Sequence, residues 1–377
     1  MKANPEILTR CDLSVAQIIG MFGGGGAQRL AYNLALGIAE QGVRSYALAL
    51  RSGGTYSELY NPQVTLVTLG AKSKNLLSYI RAFFELRKLF RKERIDIAHI
   101  HGVPSLPFVI LATRFMKHRP KVVFTWQDSE SVLDKPGWKQ KLIIWALHRC
   151  DSISGSSRLV AKKLKDRTGI SQVSVFHGGV PIIQETIRKE NSSPPMIIWL
   201  GRIVPPKDPQ ILIQAAANLR DEGYQFSVSI IGKPIDSTVW YMKETEALIE
   251  KLQLQDRVHL LGYLPDEELQ TIMCQADISV QTSHTEGLSI ALMEHMMSGL
   301  AIVATDVGDT SIAVEDGVSG IIVPPKDEKR LTDALRHLMI NPTRRSELAV
   351  AARQRAVESF SINAMVQRAL NQYRKIR

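Results

Sequence analysis

Glu286-Gly-Leu-Ser-Ile-Ala-Leu-Met-Glu294 is the segment whose residue types could most directly do chemistry. A short loop, His284-Thr285, joins it to an apolar run, Ile278–Gln281, that reads as a strand. Ser289 suits a helix N-cap, and Gly287 lets backbone approach a ligand closely. The amides of Leu288, Ser289 and Ile290 then stand at a helix N-terminus. Unpaired N–H groups and the helix dipole favour an anion there. Glu286 lies before that helix and Glu294 more than a turn inside it. A sugar diphosphate fits this layout, with phosphates on the amides and a carboxylate at each end for hydroxyls. A helix with an exposed glutamate at each end fits the same spacing.

The second candidate is Leu200-Gly-Arg-Ile-Val-Pro-Pro-Lys-Asp208. Gly201, Arg202 and Lys207 follow a strand at its ligand-facing end. Arg can hold a diphosphate bidentately, and Lys acts as a point charge. Both could stabilise a departing nucleoside diphosphate as its charge grows. A solvated turn with two surface cations is the alternative. In the first half, His99 and His101 lie two apart on an apolar strand. They are read as alternating, so that one faces a cleft. His101 is the preferred one, with a packed or hydrogen-bonded histidine nearly as good a reading. The run Gly23–Gly26 is a poor dinucleotide site, because Arg44 and Arg51 stand where an acidic residue is needed.

These residues must be positioned by two α/β layers. The first half reads as strand Val15–Gly20, helix Ala27–Gln41, strand Ser45–Leu50, and further strands at Val64–Thr68, Ile97–His101, Lys121–Thr125 and Ser152–Ser154. Strand–helix alternation predicts a parallel sheet covered on both faces. Residues 183–195 are polar and end in Pro194-Pro195, which marks a boundary. The pattern then restarts with strands at Met196–Leu200, Phe226–Ile231, Val258–Leu261, Ile278–Gln281 and Ala301–Ala304. Helices Pro209–Asp221, Val239–Lys251, Pro265–Gln275 and Ser289–Ser298 lie between them. Arg330 to Arg377 is helical almost throughout. Two doubly wound domains bind ligands at the carboxyl ends of their strands, so a two-substrate cleft is expected.

Length and composition agree with two domains in 377 residues, 45% of them apolar. Cys11, Cys150 and Cys274 are odd in number and far apart, which excludes a disulfide framework or a CxxC metal site. Neither a signal peptide nor a run long enough to span a membrane is read, and a cytoplasmic location is expected. The net charge of +10 is unevenly spread. Residues 1–190 hold 28 Lys and Arg against 14 Asp and Glu, a net +14; residues 191–377 hold 19 against 23, a net −4. The first half is therefore expected to meet something anionic, such as a membrane surface or a phosphate-bearing acceptor. Nucleic acid is not expected, for want of a binding motif. Lys72 to Arg94 carries Arg81, Arg87, Lys88, Arg91 and Lys92 beside Ile80, Phe83, Phe84 and Phe90. Lys135, Trp138, Lys139, Lys141 and Trp145 form a second such cluster. Either suits a membrane surface or a core-facing helix with a solvated face.

Taken together, Arg202 with Lys207 and Glu286 with Glu294 resemble the donor-site signature of the retaining family 4 glycosyltransferases, which have the GT-B fold. Asp256-Arg-Val-His-Leu-Leu-Gly-Tyr263, with Gly262, resembles the family's segment that stacks on the nucleotide base. Gly299-Leu-Ala-Ile-Val-Ala-Thr-Asp-Val-Gly308 and Glu315–Asp327 resemble the strands and turns that follow. The match runs in order through residues 196–330. Gly25-Gly26-Ala27-Gln28-Arg29 is similar to the family's acceptor-facing glycine loop, and Asp96–His101 to its strand with a cleft-facing histidine.

The resemblance implies two Rossmann-like domains: residues 1–185, with 360–377 packing back on them, for the acceptor, and 186–359 for the donor. It implies diphosphate binding by Arg202 and Lys207, the ribose on Glu294, and Glu286 on the transferred sugar. It also implies transfer from a nucleotide sugar, most often a UDP-sugar, with retention of configuration and no bound metal. The sequence holds no DxD-type run or His/Cys cluster in metal-ligand spacing. An acceptor on a surface polysaccharide or glycolipid is expected. Four positions depart from the family pattern: Gln127 for a histidine before Asp128, Gln28 for a glutamate, Gly308-Asp309 for a Gly-Gly pair, and Gly232-Lys233-Pro234 for a glycine-rich turn. These departures bear on acceptor choice and not on the donor phosphate site. A nucleotide-sugar epimerase on the same fold, or a non-catalytic partner subunit, are the alternatives.

Overall fold

A computed structural model describes residues 13–22, 26–53, 61–73, 75–127, 132–134, 136–183 and 194–377. Gly23–Gly25, Asp128, Lys135 and most of the 183–195 linker lie outside the described residues.

The chain divides into two compact units, Met1–Gly179 with Ile362–Arg377, and Val180–Ser361. In the first unit the elements run β1 (Ser14–Met21), α1 (Gly26–Glu40), β2 (Arg44–Arg51), β3 (Val64–Ala71), α2 (Leu76–Lys92), β4 (Ile97–Ile100), α3 (Leu106–Thr113), β5 (Lys121–Trp126), α4 (Trp138–Leu147), β6 (Ser152–Gly155), α5 (Arg158–Thr168) and β7 (Ser174–Val175). Every strand pairing is parallel, in the order β3-β2-β1-β4-β5-β6-β7. The order reverses between β1 and β4, the place where such sheets bind ligands.

The second unit holds β8 (Met196–Leu200), α6 (Pro209–Asp221), β9 (Ser227–Ile231), α7 (Val239–Lys251), β10 (Val258–Gly262), α8 (Asp266–Gln275), β11 (Ile278–Gln281), α9 (Ile290–Met297), β12 (Ala301–Thr305), α10 (Thr310–Ala313), β13 (Ile321–Val323), α11 (Glu328–Ile340) and α12 (Pro342–Phe360). Its parallel sheet is ordered β10-β9-β8-β11-β12-β13. The helical C-terminal stretch is three helices, broken at Asn341 and Ser361. The last, α13 (Ile362–Ile376), belongs to the first unit.

The reason is its apolar stripe. Met365, Val366, Ala369, Leu370 and Tyr373 recur at helical spacing and bury against Val15, Leu34, Ile38, Ile97 and Val123. Gly37 of α1 lets α13 close in, since a Cβ there would collide with Ile362 and Val366. On the opposite side of the first sheet, Leu86, Phe90, Leu106, Val109 and Phe124 form the larger core. The polypeptide passes between units at Gly179/Val180, where the Val180 amide donates to the Phe360 carbonyl at 2.8 Å and its side chain enters the second unit's core.

Candidate functional site

Gly201 follows strand β8, and its amide donates to the Ile231 carbonyl at 3.0 Å. The Gly232 amide donates to the Gly262 carbonyl at 2.7 Å. Gly232 has φ +142°, and a Cβ there would run into the Gly201 carbonyl. Only glycine therefore lets the ends of β8, β9 and β10 meet so closely. Tyr263 follows, well exposed, with the Lys233 ammonium 5.4 Å from its ring centre.

Beyond Gly201, Arg202 is exposed and Lys207 closes a 3-10 turn, Pro205–Lys207. The Lys207 ammonium contacts the Glu286 carboxylate, with both side chains largely covered. Burial, and secondly the charge of Arg202, lower the Lys207 ammonium to about 8. Ser283 Oγ donates to Glu286 Oε1 at 3.2 Å. Phosphate and sugar duties were assigned to Lys207 and Glu286 separately from the sequence; the fold places the two groups against each other.

The loop carrying Lys207 and the loop carrying Glu286 are stitched together. The His284 amide donates to the Pro206 carbonyl at 2.8 Å, and Thr282 Oγ1 donates to the Lys207 carbonyl at 2.9 Å. His284 Nε2 lies 2.7 Å from Asp208 Oδ2, and the Tyr241 hydroxyl donates to Asp208 Oδ1 at 3.1 Å. Trp199 Nε1 donates to Thr282 Oγ1 at 2.9 Å. Asp208 takes a left-handed backbone, φ +43°, at the start of α6. Sequence reasoning missed Asp208, His284, Thr282 and Tyr241 as parts of this site. Asp208 and His284 stand in the two quoted segments, but 76 residues separate them and no local pattern pairs them.

Ser289 caps α9, its Oγ accepting from the Leu292 amide at 3.4 Å. Leu288 and Ile290 pack partly into the core below. Glu294, in the second turn of α9, is half-buried. Behind the loop, the Asp309 amide donates to the Gly287 carbonyl at 2.8 Å, and Thr305 Oγ1 donates to the Ser283 carbonyl at 2.7 Å. Gly308 has φ +57°, and a Cβ there would collide with the carbonyls of Glu286 and Gly287. The Gly308-Asp309 pair thus buttresses the Glu286 loop from below. His295, on the buried side of α9, lies 2.5 Å through Nδ1 from Ser279 Oγ, and burial lowers it to about 3.

In the first unit, the histidine reading needs correction. Side chains two residues apart along a strand share a face. The rings of His99 and His101 accordingly lie together, 4.1 Å between centres, and both are buried. Both nitrogens of His101 are engaged, Nε2 at 2.7 Å from Gln17 Oε1 and Nδ1 at 3.2 Å from Gln127 Nε2. Burial lowers His101 to about 3, so it is neutral near pH 7 and a poor match for proton transfer there. The geometry fits the packed, hydrogen-bonded histidine. Gln127, just past β5, is half-buried. Gly26 opens α1 and is exposed, Gln28 follows in its first turn, and Gly25 lies outside the described residues. Among the described residues no three His, Cys, Asp or Glu side chains gather as a metal site.

Against known proteins, residues 24–183 match the family described as Glycosyltransferase Family 4, and residues 183–355 match Glycosyl transferases group 1. This chain belongs to the family 4 glycosyltransferases. Among its relatives, the D-inositol 3-phosphate glycosyltransferase of Frankia alni is 31% identical over 59% of this chain and 60% of its own. The alpha-D-kanosaminyltransferase of Streptomyces kanamyceticus is 30% identical over 48% of this chain and 46% of its own. The chain thus matches less than two thirds of these relatives' lengths. Among solved structures, Anabaena HepE in complex with UDP superposes with a TM-score of 0.79 at 18% identity, covering 96% of this chain and all of that one. A glycosyltransferase from Rickettsia africae superposes equally well, TM-score 0.79, at 18% identity over 97% of this chain and 98% of that one. These likenesses identify the two-domain GT-B fold.

Proposed function

We propose that this family 4 member transfers a hexose from a UDP-sugar to an acceptor hydroxyl, with retention of configuration and without a bound metal. The observation that carries the reading is Lys207 against Glu286, beside the capped N-terminus of α9. In this reading Lys207, Arg202 and the α9 terminus hold the diphosphate and stabilise it as it departs. Glu286 contacts the transferred sugar, Glu294 the ribose, and Tyr263 the base. The cations and helix terminus supply the positive charge that a metal would otherwise bring. UDP is favoured by its presence in the HepE structure, which shares the fold.

An acceptor bearing phosphate is favoured by the net +14 of residues 1–190 and by relatives named for inositol 3-phosphate. A lipid-linked glycan of a surface polysaccharide, or a glycolipid, meets the same charge. Peripheral attachment to the cytoplasmic face of an anionic membrane is supported by α2. Its inner side buries Ala82, Leu86 and Phe90, while Leu76, Ile80 and Phe84, one turn apart, stand exposed. Lys72, Arg81, Lys88 and Lys92 line an adjoining cavity of about 790 Å³. Among the described residues no helix is long and apolar enough to cross a membrane.

The test is calorimetry with UDP, GDP, ADP and their sugars, followed by turnover in the presence of a chelator. UDP should bind, and Arg202→Ala with Lys207→Ala should weaken UDP tenfold or more while leaving uridine little changed, on the order of one charge-assisted hydrogen bond. Glu286→Ala should abolish transfer yet keep UDP. Binding of no nucleotide, or equal loss of UDP and uridine, would overturn the reading.

A further inference from the structure

Asp208 departs twice from what its position asks of it. It is the N-cap of α6, immediately before Pro209. An aspartate there ordinarily turns its carboxylate onto the first amides of its own helix. Asp208 makes no such bond. Its backbone is also left-handed, φ +43° and ψ +63°, a region that costs free energy for any residue with a Cβ. The compensation lies on two other elements. Oδ1 accepts from the hydroxyl of Tyr241, in the first turn of α7, at 3.1 Å. Oδ2 accepts from Nε2 of His284, in the loop after β11, at 2.7 Å. A carboxylate only accepts, so Nε2 carries the hydrogen. Tyr241 is buried; burial, and secondly the charge of Asp208, raise its phenol, so the hydroxyl stays protonated and donates near pH 7. The Asp208 and His284 side chains are both largely covered.

The two groups on either side of this clasp are Lys207 and Glu286. The Lys207 amide donates to the Val204 carbonyl at 2.9 Å, and its carbonyl accepts from Thr282 Oγ1 at 2.9 Å. His284 stands two residues before Glu286, and its amide donates to the Pro206 carbonyl at 2.8 Å. Two ties between the turn and the loop thus use backbone carbonyls. The third is the Asp208 carboxylate, which reaches on to α7. Pro209 fixes the next φ, so the conformation of Asp208 decides how Lys207 is aimed relative to α6.

We propose that Asp208 is a positioning residue of the diphosphate site: clasped by Tyr241 and His284, it holds the left-handed turn that sets the Lys207 ammonium against Glu286. Asp208 acts through Lys207. The consequence for nucleotide binding rests on the transferase reading; the clasp does not. Asp208→Gly separates backbone from carboxylate. It removes the cost of the left-handed turn and deletes both hydrogen bonds, so the protein should melt within a few degrees of the unaltered one. A merely structural residue would leave binding intact in such a variant. Here UDP should bind about tenfold more weakly, with uridine little changed. Asp208→Asn keeps the left-handed preference and an acceptor for Tyr241, and should restore most of the affinity. Tyr241→Phe should weaken UDP as well. Combined with Asp208→Gly it should add nothing further, because Tyr241 acts through Asp208. Full UDP affinity in Tyr241→Phe and in Asp208→Gly, or additive losses in the pair, overturns the role.

Lys207 gives a readout that needs no nucleotide. Its ammonium is lowered to about 8, by burial first and by Arg202 second. The pH dependence of its acetylation, followed by mass spectrometry, should turn at about 8 in the unaltered protein. In Asp208→Gly the freed turn returns the ammonium to water, and the midpoint should rise towards about 10.4. In Asp208→Asn it should stay where it was or fall slightly. Loss of the Asp208 charge by itself would lower the midpoint in both variants. A midpoint unmoved or lowered in Asp208→Gly therefore overturns the positioning role. Failure of the unaltered protein to bind UDP removes the consequence for the nucleotide along with the transferase reading, while the acetylation midpoints still decide the clasp.

Discussion

Mild acid should destabilise this protein well before its carboxylates protonate, and the buried histidines set the size of the effect. His101 in the first unit and His295 in the second are each lowered from 6.5 to about 3 by burial. A histidine whose folded pKa lies below its unfolded value takes up its proton on unfolding. Its contribution is therefore fully present above about 6.5 and is lost progressively as pH falls towards 3. Between about pH 7.5 and 5.5, the unfolded form of one such histidine gains about 1.4 kcal/mol, while the folded form gains almost nothing. His99 shifts in the same direction, with burial first and the neighbouring His101 second as causes. Glu93 and Glu222 also shift, but downward from 4.5, so they act only below this window. His101 and His295 thus each remove about 1.4 kcal/mol from the stability of their own unit, against about 5–15 kcal/mol for a domain of ordinary stability. Urea titrations at three pH values in this window, followed by tryptophan emission, would measure it. Trp126 reports on the first unit and Trp199 on the second, both being buried. His101→Gln should flatten the pH slope for the first unit alone, and His295→Gln for the second alone. Midpoints independent of pH, or a slope unchanged by either substitution, would refute the reasoning.

Three further outcomes are expected. Gly308→Ala forces a Cβ into the Glu286 and Gly287 carbonyls, so it should cost on the order of 1–3 kcal/mol in stability and abolish transfer. Gly42→Ala, also at positive φ but with open space around it, should cost on the order of 1 kcal/mol and leave turnover unchanged, both read by thermal melts and rate assays. Binding to vesicles of anionic lipid should weaken as salt rises and weaken again in Leu76→Asp with Phe84→Asp; sedimentation indifferent to both would argue against the α2 surface.

Much of the fold and part of the site were legible along the chain. Each apolar run with its following helical stripe is a local pattern. Helix α6 was read with its observed bounds, and α9 within one residue at either end, because Ser289 and the strand before it are sequence neighbours. Gly287, Arg202, Lys207 and Glu286 are singled out the same way, as residues of short local motifs. The histidine pair was misread through strand geometry and not for want of signal, since i and i+2 share a face.

What the sequence by itself determined is therefore what a period of two or of 3.6 residues and a short motif can carry: the elements, their order, and the loops that hold charge. The tertiary structure alone decided which distant groups meet. Asp208 finds His284, Lys207 finds Glu286, and Gln17 and His99 join Tyr373 on a helix more than two hundred residues away in sequence. Such pairings rest on burial and on the geometry of hydrogen bonds between elements that only packing brings together. A single chain carries no local pattern that records them.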